Sequence, residues 1–139
     1  MNDIVAEKIK SIQRCVIRAR EEYHTNPAGF ETNFTAQDAA LLNVLRACEQ
    51  AIDLANHIVK SYKMGIPTSS AESFDLLQEG SVIDRDLAQR LRRMVSFRNL
   101  LIHQYQQIDL ALVRSVITTG LDDLIQFCDR ILLFTGNPR

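Results

Sequence analysis

Apolar positions recur along this chain at intervals of three and four, the spacing that lays a stripe along one side of an α-helix. In the first segment Ile4, Ile9, Ile12, Val16, Ala19 and Tyr23 are separated by charged positions such as Glu7, Lys8, Lys10 and Arg14. A helix is therefore predicted over residues 3–24, and Asn26, Pro27 and Gly29 in "TNPAGFETNF" break it into a loop. A second helix is predicted over residues 36–63, with Thr35 as its N-cap and Asp38 at the positive end of its dipole. Its apolar side carries Leu41, Leu45, Cys48, Ile52, Ala55, Val59 and Tyr62, and "MGIPTSS" ends it.

"SAESFDLLQEG", with a serine start, a glycine stop and Phe74, Leu76 and Leu77 inside, predicts a short helix over residues 71–79. A third long helix is predicted over residues 84–106 from an Asp84 N-cap. A last one, over residues 110–134, buries Leu112, Val116, Leu121, Leu124, Ile125, Cys128 and Ile131. Gly120 weakens it by up to about 1 kcal/mol relative to alanine, and a local bend is expected there. No stretch alternates apolar and polar in the manner of a strand. The fold class expected is all-α: an up-and-down four-helix bundle with an additional short helix, in a single domain over residues 1–139.

One stripe departs from this order. Leu87, Leu91, Met94, Arg98, Leu101 and Tyr105 share a face of the third long helix, and a cation stands where packing asks for a leucine. His103 follows Arg98 by five residues, about 140° around an unbroken helix. Either the helix distorts or ends near Ile102, or the long arginine reaches around, or a symmetric copy brings its own residues across an interface.

Composition changes this picture little. The 139 residues are long enough to bury a core without disulfides, and a net charge of −1 supplies no global attraction for nucleic acid. Arg85, Arg90, Arg92, Arg93 and Arg98 crowd one segment, as a local positive field or as a solvated face with Asp84 and Asp86 as counter-charges. Cys15, Cys48 and Cys128 lie far apart among apolar residues, which suits buried thiols in a reducing cytoplasm. Neither a signal peptide nor a membrane span is expected.

The chain holds no glycine-rich phosphate loop, no G-x-S-x-G, no H-E-x-x-H and no EF-hand loop. His24, His57 and His103 form no local metal pattern, so neither metal nor cofactor is indicated. An arginine and a histidine without metal suit RNA phosphodiester cleavage. The 2′-hydroxyl attacks phosphorus, histidine moves the proton, and guanidinium stabilises the charge on the phosphoryl oxygens. An interface salt bridge and a satisfied histidine account for the same residue types. Asp53 and His57, four apart on the second helix, face each other or a cleft, with a local hydrogen bond as the simpler account. Phe97 either stacks a base or packs between helices.

The wording "RNLLIHQY" (Arg98 to Tyr105), an R-x-x-x-x-H-x-Y motif preceded by "RLRRMVSF" and followed by "QQID", closely resembles the HepT family of HEPN-domain toxins. "ACEQAIDLANHIV" and "GIPTSSAESFDLLQEGSVID" extend the resemblance to residues 38–133. It implies a homodimer with two such segments meeting in a cleft, and a metal-independent ribonuclease toxin acting on RNA, tRNA first among candidates. Arg98 and His103 would be catalytic and Asn99 supporting. It also implies an MntA-type nucleotidyltransferase antitoxin that transfers AMP from ATP onto Tyr105, placing bulk and negative charge where RNA phosphate binds. Leu45 stands where some relatives would carry an acidic residue, which leaves the second helix's share of the site open. The alternative is a non-catalytic, dimerising helical adaptor for a nucleotidyltransferase. Alanine at Arg98 and His103 separates the two.

Overall fold

A computed structural model describes residues 3–136. Its elements are α1 (Asp3–His24), α2 (Phe34–Ser61), α3 (Ser70–Glu79), α4 (Arg85–His103), α5 (Leu110–Ser115) and α6 (Leu121–Gly136). A single 3₁₀ turn, Tyr105–Gln107, follows α4, and a π turn, Val116–Gly120, joins α5 to α6. Among the described residues there is no strand. α1, α2, α4 and the α5–α6 rod make the four members of the bundle, and α3 packs against α2 and α4.

The stripes meet in one continuous core. α1 contributes Val5, Ile9, Ile12, Cys15, Val16 and Ala19, while α2 presents a small-residue ridge of Ala40, Ala47, Ala51 and Ala55 beside Val44, Leu54 and Ile58. Small side chains let α1 and α2 approach closely along their length, which sets the groove between them. Phe74 of α3 meets Phe127 of α6 edge to face at 5.3 Å between ring centroids, pinning the short helix to the bundle. Ile4, Tyr62 and Leu112, expected on buried stripes, are exposed instead. Each lies in the first turn of its helix or just beyond its end, and Tyr62 still meets Phe134 of α6 edge to face at 4.7 Å between ring centroids. Among the described residues no helix is long and apolar enough to cross a membrane.

Most helix ends lie within two residues of expectation, and two of the differences have a clear physical reason. Asn33, not Thr35, caps α2, accepting the Ala36 N–H at 3.0 Å, so the helix begins at Phe34. The loop decides this: Gln37 donates to the carbonyls of Phe30 and Glu31, at 2.7 and 3.0 Å, and draws the incoming chain against the first turn. α4 stops at His103, three residues short of the predicted end. Gln104 closes it by donating to the Leu100 carbonyl at 2.8 Å. Residues 102–107 are exposed throughout, so no buried stripe supports a further turn, and packing is what sustains most protein helices.

The bend expected near Gly120 takes the form of the π turn. A Cβ at Gly120 would stand 3.3 Å from the Met94 sulfur. Glycine thus lets the α5–α6 rod approach α4, the helix that carries the candidate site.

Candidate functional site

Arg98 is held by three elements at once. From α4 it reaches Ser70 of α3, donating from Nη2 to the hydroxyl at 2.8 Å, while Nη1 donates to Asn99 Oδ1 at 3.0 Å. Its Nε lies 3.1 Å from Glu49 Oε1 of α2. The Nε–H is not aimed at that oxygen and has no hydrogen-bond partner among the described residues, so the contact with Glu49 is ionic in character. The side chain keeps 17% of its surface exposed. An arginine locked by three neighbours and still open to solvent presents a fixed positive fork, the arrangement that receives a phosphate oxygen.

His103 closes α4 and is exposed. Because the helix runs unbroken from Arg98 to His103, the two remain about 140° apart. Within one chain Arg98 is drawn back towards α2 and α3 while the imidazole faces outward. Asn99, also exposed, holds Arg98 by its side-chain carbonyl.

Tyr105 lies past the end of α4, and the expected single stripe through Arg98 and Tyr105 is therefore not continuous. The turn swings its ring towards α2, where the hydroxyl donates to the Asp38 carboxylate. Leu41, Leu42, Leu45 and Leu101 line a small cavity of about 220 Å³ beside this pair. Partial burial, reinforced by the Asp38 hydrogen bond and charge, pushes the Tyr105 hydroxyl up to about 12. The residue is 43% exposed, so the hydroxyl is reachable and protonated at neutral pH.

Other candidates fall elsewhere. Asp53 pairs with Lys8 of α1 at 3.4 Å, on the α1 side of α2 and apart from the α4 cluster. His57 is half-buried one turn further along. Phe97 is 4% exposed within the core, so it packs between helices and offers no face to a base. The arginine run on α4 is largely compensated. Arg90 pairs with Asp86 at 3.0 Å and Asp123 at 2.5 Å, and Arg92 with Asp75. Its hydrogen bond to Asp123 helps push the Arg90 guanidinium above its usual range.

Asp38, read from the sequence only as a favourable charge at the start of α2, and Glu49 and Ser70 were not assigned to the site by sequence reasoning. A signal existed for two of them: Asp38 and Glu49 are eleven residues apart, which returns them to within about 20° on α2. Two carboxylates on one face of a helix that borders an apolar stripe mirror the misplaced Arg98 on α4. Ser70 carried no such signal, since a serine at a helix start is common.

Cys15, Cys48 and Cys128 are all buried free thiols. Burial, with the neighbouring Glu49 adding to it and Arg98 opposing it, pushes Cys48 up to about 12, and burial with Asp129 does the same for Cys128. For Cys48, Cys128 and Tyr105 the folded state holds the proton to higher pH than the unfolded chain. Stability is therefore expected to be full below about pH 9 and to fall as the pH rises from there, because the unfolded chain loses these protons first. The urea midpoint measured at about pH 7 and about pH 10.5 checks the direction.

The chain matches the family described as Ribonuclease HepT-like over residues 6–131. It is 42% identical over 131 residues to the mRNA nuclease HepT of Shewanella oneidensis, covering 94% of this chain and 98% of that protein. Among solved structures it is similar to the tri-AMPylated Shewanella oneidensis HEPN toxin in complex with MNT antitoxin, with 42% identity, 94% and 98% coverage and a TM-score of 0.88. A toxin–antitoxin structure with AMP-PNP matches at 41% identity, the same coverage and a TM-score of 0.89. The cytosolic protein YutE of Bacillus subtilis shares the fold, with a TM-score of 0.71 over 94% of both chains at 18% identity.

Proposed function

The chain belongs to the ribonuclease HepT-like family, and from that premise we propose that it is an RNA-cleaving toxin whose reaction depends on Arg98 and His103 without metal, and which a nucleotidyltransferase antitoxin silences by adding AMP to Tyr105. The observation that carries the nuclease reading is the anchoring of Arg98 by Glu49, Ser70 and Asn99 with part of its guanidinium left open. A cation fixed before substrate arrives stabilises the charge that builds on phosphoryl oxygens, with little reorganisation during the reaction.

The 140° between Arg98 and His103 supports a shared site in a homodimer. In that arrangement Arg98 of one copy and His103 of the other flank the same phosphate, and twofold symmetry repeats the pair. One imidazole removes the proton from the 2′-hydroxyl as its oxygen bonds to phosphorus. The bond to the 5′-oxygen breaks, that oxygen takes a proton from the second imidazole, and the products are a 2′,3′-cyclic phosphate and a 5′-hydroxyl. RNA is the substrate class. The Shewanella relative's name gives mRNA, whereas the sequence resemblance favours tRNA, so both are test substrates.

For silencing, the Tyr105 oxygen attacks the α-phosphorus of ATP, pyrophosphate leaves, and Asp38 is the group in contact with the phenolic proton that must depart. The deciding experiment incubates purified protein with tRNA and with mRNA in EDTA, beside His103→Ala. Cyclic phosphate ends from the unaltered protein alone are expected. Equal cleavage by both proteins overturns the role of His103, and no cleavage by a folded dimer leaves the adaptor reading in its place.

A further inference from the structure

Arg20, Arg90, Arg92, Arg98 and Arg114 each hold a carboxylate. Arg14, Arg18, Arg46, Arg85, Arg93 and Arg130 hold none among the described residues, and of these six Arg14, Arg18 and Arg46 come together in one polar groove of about 370 Å³ between α1 and α2, with Ser11, Asn43 and Gln50 between them. All three are exposed. Arg14 and Arg18 stand four apart on α1, where like charges face each other and destabilise the helix. Arg46 adds a third positive charge from across the groove.

We propose that this groove binds the phosphodiester backbone of single-stranded RNA, as a second point of contact away from Arg98 and His103. The substrate class rests on the ribonuclease reading above; the groove itself rests on the uncompensated charge. Guanidinium forks at the spacing of one helical turn suit successive phosphates, and serine and amide side chains between them suit sugar and phosphate oxygens. The lining is polar and lacks the aromatic or aliphatic anchor that a protein partner's hot spot would fill. Continuity favours RNA as well. Arg46 is three residues from Glu49 and so about 60° around α2 from it, and Glu49 holds Arg98. A strand leaving the reaction centre crosses one exposed ridge of α2 to reach the groove.

The test measures binding of a fluorescent, single-stranded RNA by the full-length His103→Ala protein across a salt series. It is repeated with Arg14→Gln, Arg18→Gln and Arg46→Gln added together. Since this background is not required to cleave, the binding result reads the groove whether or not the nuclease reading stands. Cleavage by the unaltered protein reports on that reading separately. Three lost phosphate contacts at roughly 0.7 each lower the slope of log affinity against log salt by about 2, and affinity at low salt falls at least about tenfold. The thermal midpoint stays level or rises, because like charges have been removed.

An unchanged slope overturns the proposal, as does a His103→Ala parent that binds no RNA. Arg85→Gln with Arg93→Gln, two α4 arginines that also hold no carboxylate among the described residues, serves as the comparison. If that pair lowers the slope as much as the groove triple, diffuse surface charge accounts for the effect and the groove is not a site. Weakened capture of the antitoxin with an unchanged RNA slope would assign the groove to a protein contact, again overturning the proposal.

Discussion

His103→Ala is expected to lower RNA cleavage by about 10³-fold, the range that a positioned acid or base contributes, with no measurable change in folding. His103 is exposed and ends its helix, so its removal opens no cavity and strands no buried partner; substitutions of this kind shift stability by less than about 0.5 kcal/mol. A comparable loss is expected from Arg98→Lys. Lysine keeps the charge, but its compact ammonium cannot hold Glu49, Ser70 and Asn99 at once while presenting a planar fork to phosphate. Arg98→Ala is the less informative change. It leaves the Glu49 carboxylate without its partner beside the buried Cys48, and a drop in stability would accompany the drop in rate. Single-turnover cleavage, with thermal unfolding on the same samples, separates the two effects. Rates within about tenfold of the unaltered protein for both His103→Ala and Arg98→Lys would remove this pair from the mechanism.

Tyr105→Phe is expected to abolish AMP incorporation and to leave cells arrested even when the antitoxin is present. The ring can still lie along Leu41, Leu45 and Leu101, so packing is largely kept and only the acceptor oxygen is lost. Asp38→Asn probes the same step more finely. The amide still accepts a hydrogen bond from the phenol but takes up no proton, so AMP transfer should slow by about 10² while Tyr105 stays in place. Intact-mass measurement after incubation with antitoxin and ATP reads both variants. Full AMP incorporation by Tyr105→Phe would move the acceptor to another residue, and unimpaired transfer by Asp38→Asn would confine Asp38 to holding the turn.

The helices and their contents were legible because their determinants are local. The Asp84 cap accepts the Leu87 N–H at 2.8 Å, as a short polar side chain before an apolar-periodic run should. Arg98 could be picked out because it breaks a stripe, a property of its own helix. What fixes Arg98 could not be read in the same way, since Glu49 and Ser70 are 49 and 28 residues away. The contact between Tyr105 and Asp38 spans 67 residues. It exists because α4 stops early, and that end depends on what covers residues 102–107 rather than on their own preferences. Competition between caps was similarly hidden: Asn33 and Thr35 both carry a suitable oxygen, and the bonds from Gln37 to the preceding loop select the first. Charge was only half legible for a related reason: Asp86 was an expected counter-charge and does pair with Arg90, but the others come from distant elements. The α4 arginines read as a basic run in one dimension, while in three dimensions Asp75, Asp123 and Glu49 neutralise most of it.

Under the proposed modification, the hydrogen bond between Tyr105 and Asp38 can serve only once: esterifying the phenol would remove the very proton that Asp38 accepts, and the first adenylyl group would dismantle the arrangement that helped install it. A tyrosine has one hydroxyl, and any later adenylyl group on this side chain must be built on the first, out of reach of that carboxylate. Initiation and extension of such a chain are then expected to follow different rate laws, with Asp38 governing the lag before the first addition and the antitoxin's own machinery setting the pace of those that follow.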